Sequence, residues 1–86
     1  MTFTVVIAPA AVRQLRKLDA HARRRIQAAI DLLAENPRPP AAKRLVNFAG
    51  EWRVRVGDHR VVYDIVADAL IVLVLSAAPR REVYRN

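Results

Sequence analysis

Three arginines stand around a two-residue turn in the run Glu51-Trp52-Arg53-Val54-Arg55-Val56-Gly57-Asp58-His59-Arg60-Val61-Val62-Tyr63. Glycine at the first loop position is what a type II′ hairpin needs. The turn therefore sets a register that can be counted outward. Val56 faces His59, Arg55 faces Arg60, Val54 faces Val61, Arg53 faces Val62 and Trp52 faces Tyr63. Side chains alternate along a strand, so Trp52, Val54, Val56, Val61 and Tyr63 share one apolar face. Arg53, Arg55 and Arg60 share the other. Arg55 and Arg60 are directly cross-strand, where like charges destabilise. Guanidinium groups gathered in this way suit the oxygens of a phosphate.

The C-terminal run Pro79-Arg80-Arg81-Glu82-Val83-Tyr84-Arg85 adds a second group. Arg80 and Tyr84 are four residues apart and share one side if the tail forms a helical turn. Tyr84 can transfer a proton, stack on a base, or fasten the tail through its apolar ring. Elsewhere the sequence offers little chemistry. His21 and His59 have no partners at metal-ligand spacing, and no metal site is expected. With Gly50 and Gly57 the only glycines there is no phosphate-cradling loop. The acids are scattered, which disfavours a two-metal nuclease. No Ser/His/Asp signature is present.

The elements that must hold these residues follow from periodicity and punctuation. Thr2 to Ile7 reads as a strand with Phe3, Val5 and Ile7 on one face. Pro9 opens a helix with the apolar stripe Ala8, Ala11, Val12, Leu15 and Leu18. Asp19 caps a second helix from Ala20, whose stripe is Ala22, Ile26, Ala29, Ile30 and Leu33. Asn36-Pro37 ends it, and Pro39 and Pro40 keep the chain extended. The two helices form a hairpin. After the arginine hairpin, Ala67-Asp68 is a second tight turn, of poorer turn chemistry, and Leu70 to Leu75 is apolar on both faces like a central strand. The order β-α-α-β-β-β specifies an α+β domain spanning 1–86. Its helix hairpin packs on one face of a small antiparallel sheet.

Composition narrows the function. Of 86 residues, 15 are Lys or Arg and 8 are Asp or Glu, giving a net charge of +7. Thirteen of the cations are arginine; Lys17 and Lys43 are the lysines. A basic domain of this kind points to a polyanionic partner, nucleic acid first and an acidic protein second. The length allows one small core and excludes a separate cofactor domain. Without cysteine there is no disulfide framework, thiolate metal site or cysteine nucleophile. The N-terminus lacks signal-peptide features, and the apolar stretch Ala69 to Ala78 is too short to span a bilayer. A cytoplasmic domain without membrane contact is expected.

The run from Glu51 to Tyr63, followed by Arg80-Arg81-Glu82-Val83-Tyr84, resembles the RelE/ParE superfamily of toxins from type II toxin–antitoxin systems. The resemblance covers essentially the whole chain. Its RelE-like branch contains ribosome-dependent mRNA endonucleases; its ParE-like branch shares the fold and poisons DNA gyrase without a nuclease site. The RelE-like branch is the expected one, because the set Arg53, Arg55, Arg60, Arg80 and Tyr84 is complete. The resemblance implies an mRNA interferase with Arg55, Arg60, Arg80 and Tyr84 as catalytic residues and Arg53, Lys43, Arg44 and Arg81 as RNA-binding residues. It implies no cofactor, and as partners mRNA, the ribosome and a cognate acidic antitoxin. Two departures stand out. Some RelE-type toxins have lysines where Arg53 and Arg55 stand, and Pro79 occupies a position where glycine or histidine is common.

Tyr84→Phe separates the roles open to that tyrosine. Loss of RNA cleavage at an unchanged melting temperature is the outcome for proton transfer. A lowered melting temperature identifies a tail fastener.

Overall fold

The computed structural model describes residues 2–45 and 50–79. Strand β1 (Thr4–Ile7) leads into helix α1 (Pro9–Arg16) and helix α2 (Ala20–Glu35). Strands β2 (Lys43–Arg44), β3 (Trp52–Val56), β4 (His59–Val66) and β5 (Ile71–Pro79) follow, in the sheet order β1-β5-β4-β3-β2. The architecture is the α+β arrangement expected, with two helices against one sheet.

The helix limits follow from the capping chemistry. Pro9 occupies the first turn of α1, where a missing N–H leaves no hydrogen bond unmade. The Asp19 carboxylate accepts from the Ala22 N–H at 2.8 Å and closes the start of α2. That bond holds the carboxyl below its usual value; partial burial opposes it, and His21 and His59 lower it further. The bend between the helices is tied by Arg23, whose guanidinium donates to the carbonyls of Leu15 (3.2 Å) and Leu18 (2.8 Å). The Leu15 carbonyl also accepts from the Leu18 N–H at 3.2 Å, so Arg23 adds a second donor there and supplies the side-chain donor to Leu18 just beyond α1.

The core lies between the helix pair and one sheet face. Ala11, Leu15, Ile26, Ile30 and Leu33 meet Val54, Val61, Tyr63, Val72, Val74 and Ala77. Phe3, Val5, Ile7, Trp52 and Val56 pack at its margin. Burying one such side chain contributes roughly 1.5–3 kcal/mol, so this apolar face fixes which side of the sheet the helices cover. Tyr63 is fully buried and donates its hydroxyl to the Pro37 carbonyl at 2.6 Å. This bond docks the chain leaving α2 onto the sheet. Arg38, next along, lies over the Trp52 ring at 5.6 Å from its centre, within cation–π range.

The structure corrects the sequence expectation in four places. The sheet has five strands and not four, because the two-residue β2 pairs with β3. The sheet is mixed, because β1 runs parallel to β5, with Val5 beside Val72 and Ile7 beside Val74. A parallel pair needs a long crossover, and the helix hairpin with β2–β4 supplies it. The link from β4 to β5 is a short 3₁₀ turn, Ala67–Ala69, followed by Leu70 at φ 54, and not a two-residue turn. Pro79 belongs to the end of β5, opposite His59, and not to the tail. The register of β4 against β5 also slips between Val62 and Tyr63, which leaves Leu75 without a directly opposed residue. The slip keeps both Ala77 and Val74 on the core side. Where β5 outruns β1, the Ala77 N–H donates to the Gln14 side chain of α1 at 2.8 Å.

Tyr63→Phe leaves the buried Pro37 carbonyl without its donor and should lower stability by about 1–2 kcal/mol in thermal unfolding. Burial pushes the Tyr63 phenol up to about 12, with Arg38 opposing. The unfolded chain ionises at about pH 10 while the folded one stays neutral, so this phenol lowers stability as pH rises from about 10 towards 12. Melting curves of the Phe variant should lack that share of the alkaline decline.

Candidate nucleic-acid interface

Gly57 adopts φ 59, a left-handed conformation that other side chains rarely take, and joins β3 to β4 with Asp58. The pairing is the one counted from the turn, from Val56 opposite His59 through Arg55 opposite Arg60 to Trp52 opposite Tyr63. Because Val54, Val61 and Tyr63 face the helices, Arg53, Arg55 and Arg60 face away from them. Strand β2 adds to this row, since Lys43 pairs with Arg53. Four cations from three strands therefore share the face turned away from the helices. Arg44 pairs with Trp52 and so belongs to the opposite face, away from the row it was expected to join.

The cations differ in environment. Arg55 is exposed, Arg53 is half-buried, and Arg60 retains only 3% of its accessible surface. Beside the turn, Arg55, Gly57, Asp58, His59 and Arg60 line a cleft of about 110 Å³. Arginine stays charged at any useful pH and presents a planar set of donors. Arg80, Arg81 and Tyr84 lie outside the described residues.

Other titratable groups do not join this row. Tyr63 is buried beneath the sheet with its proton committed to Pro37. His59 shares the face of Val56 and lines two clefts, the one with Arg55 and Arg60 and a second with Asp19, His21, Arg25 and Asp58. Among the described residues, no group of three or more His, Cys, Asp or Glu side chains is placed to hold a metal ion. None of their helices is long and apolar enough to cross a membrane.

Residues 5–84 match the family model described as the ParE toxin of type II toxin–antitoxin systems, parDE. The chain belongs to this family. It is a RelE/ParE superfamily toxin of a type II toxin–antitoxin system. RelE1 of Methanocaldococcus jannaschii is 29% identical over 89 residues, covering 100% of this toxin and 99% of that relative. Among solved structures, the archaeal RelE–RelB complex from Pyrococcus horikoshii OT3 matches with a TM-score of 0.81 and 27% identity, covering 100% of both chains. The RelBE2 toxin–antitoxin complex of Mycobacterium tuberculosis matches with a TM-score of 0.79 and 25% identity, covering 93% of this toxin and 100% of that chain.

The sequence reading did not anticipate Lys43 opposite Arg53, since a two-residue strand has no periodicity to read. Nor did it single out Arg23, whose side chain closes the helix bend.

Arg55→Glu sets a carboxylate opposite Arg60 of this toxin in place of a like charge. Stability should rise by about 0.5 kcal/mol, read as a higher melting temperature. Affinity for a short oligoribonucleotide should fall in the same variant.

Proposed function

We propose that this toxin is an mRNA interferase that cleaves mRNA on the ribosome, in the cytoplasm, without a cofactor. The observation that supports the reading is the Arg55–Arg60 pair, which lines one cleft and continues into Arg53 and Lys43 on the same face. A row of this kind suits a ribose-phosphate backbone, with Arg53, Lys43 and Arg81 as binding residues. Arg44, on the other face, has no part in that row.

In the proposed reaction the ribose 2′-oxygen attacks its own 3′ phosphorus and the bond from phosphorus to the 5′-oxygen breaks. The 2′ proton leaves to a base and the departing 5′-oxygen gains a proton. The products are a 2′,3′-cyclic phosphate and a 5′-hydroxyl end. The pentavalent intermediate carries extra negative charge, and Arg55, Arg60 and Arg80 stabilise it; preorganised charge of this sort is often the largest catalytic contribution. Arginine cannot serve as the base. Tyr84 is the side chain proposed to move a proton, and alignment of the mRNA by the ribosome supplies much of the remaining rate.

The proposed regulator is a small acidic antitoxin that binds the basic face. A net charge of +7 supports an acidic partner, and the Pyrococcus and Mycobacterium relatives are toxin–antitoxin complexes. The second reading is a non-enzymatic inhibitor of DNA gyrase, favoured by the ParE description of the matching family model.

Arg60→Ala should lower cleavage by on the order of 10²-fold or more while the protein stays folded. A 2′-deoxy nucleotide at the scissile position should stop cleavage and leave binding intact. End-group analysis decides the chemistry: 5′-hydroxyl ends support it, and 5′-phosphate ends made directly by the purified protein overturn it. Gyrase trapped on DNA, with mRNA uncut after induction in cells, selects the second reading.

A further inference from the structure

Gly57 is constrained twice. Its φ of 59 disfavours any other residue, and a Cβ built on it would lie 3.1 Å from Nη1 of Arg25 and 3.5 Å from both Cζ and Nη2. The whole guanidinium plane therefore sits against the turn, in space that a side chain at position 57 would need. Arg25 comes from the other layer of the molecule. It is an exposed residue of α2 and reaches the turn through the cleft lined by Asp19, His21, Val56, Asp58 and His59.

Helix stability does not explain that placement. The N-terminal end of a helix carries a partial positive charge. The first turn of α2 has no acidic residue, and Arg23, Arg24 and Arg25 follow directly. Arg23 has a structural task in closing the helix bend. For Arg25 the described contact is the turn backbone. On the far side of Asp58 and His59, which line both clefts, lies the cleft of Arg55 and Arg60. Gly57, Asp58 and His59 thus form a thin wall with Arg25 behind it and the cationic pair in front.

We propose that Arg25 is a positioning residue of the anion site: its guanidinium, seated over the Gly57 backbone from the helix side, fixes the β3–β4 turn and so sets where Arg55 and Arg60 stand. This rests on the reading of their cleft as the RNA phosphate site. Gly57 and Asp58 are exposed and have little core packing to hold them. The planar guanidinium beside Gly57 supplies the missing support, and an ammonium of different shape does not reproduce it. Displacements of about 1 Å near reacting groups can cost on the order of 10²-fold in rate, so a modest shift of the turn is enough to matter.

The test uses the full-length protein and three variants, Arg25→Ala, Arg25→Lys and Arg25→Gln. The NMR signals of Gly57 and of the Arg55 and Arg60 guanidinium groups are recorded without RNA. Affinity for a 2′-deoxy-substituted oligoribonucleotide and cleavage by the ribosome-bound toxin are measured in parallel. Arg25→Ala should move the Arg55 and Arg60 signals, weaken oligonucleotide binding several-fold and slow cleavage at least about tenfold, with melting changed by only a few degrees. Arg25→Lys should recover little of this. Unmoved Arg55 and Arg60 signals in Arg25→Ala overturn the proposal, as does full recovery by Arg25→Lys, which would mean that charge alone acts. If Arg25→Ala unfolds, the signals of Arg25→Gln, which keeps a planar end group, decide in its place. Should the signals move while the unaltered toxin binds and cuts no RNA, positioning stands and the ribonuclease reading falls.

Discussion

The left-handed conformation at Gly57 is the constraint on which the rest of the site depends. It fixes a two-residue turn, and the turn fixes the parity of both strands. Shifting the pairing by one residue would turn every side chain of β3 or β4 to the other face. Val54, Val61 and Tyr63 would then leave the core, and the arginines would be driven beneath the helices. The hydrophobic and the cationic patterns therefore enforce the same register from opposite sides. The strong burial of one face is what makes a costly concentration of like charge on the other tolerable.

The sheet face turned away from the helices is divided across its width. Towards β2 and β3 it is cationic, with Lys43, Arg53, Arg55 and Arg60. Towards β1 it becomes apolar, with Val6 42% exposed next to Leu73, and Val66 40% exposed next to Ile71. The parallel pairing of β1 with β5 produces this division, because it sets a short apolar edge strand at the far side from the arginines. The register slip at Leu75 serves the same end. Without it, the alternation that places Ala77 in the core would put Val74 outside.

What could be read from the sequence was local. Pro9, Asp19 and Asn36-Pro37 mark helix limits because capping and proline geometry act within a few residues, and the turn register followed from Gly57 alone. Partners across the sheet were not legible in the same way: alternation says which way Val5 points, but not that Val72 runs parallel beside it. A strand as short as Lys43–Arg44 has no period, so the face of Arg44 could not be counted. Side-chain bonds between distant elements, such as Gln14 to Ala77 or Tyr63 to Pro37, leave no periodic trace at all. The near-complete burial of Arg60 on the side away from the helices belongs with these, since alternation predicts a direction and not a depth.

The arginine-rich choice at the site has a chemical consequence. Permanent cations can bind a phosphate and stabilise charge that develops on it, but they cannot move protons at neutral pH. Tyr63 is no substitute. Its phenol is buried, pushed up to about 12, and already donates to the Pro37 carbonyl. His59 is adjacent in sequence to Arg60 and shares the face of Val56, yet at the turn it still borders the cleft that Arg55 and Arg60 line. The arginines thus supply binding and charge stabilisation, and proton movement needs a different kind of group. Any cleavage by this toxin must draw its proton transfer from a side chain other than these arginines, with His59 at the edge of their cleft and Tyr84, the other tyrosine of the chain, as the candidates the sequence offers.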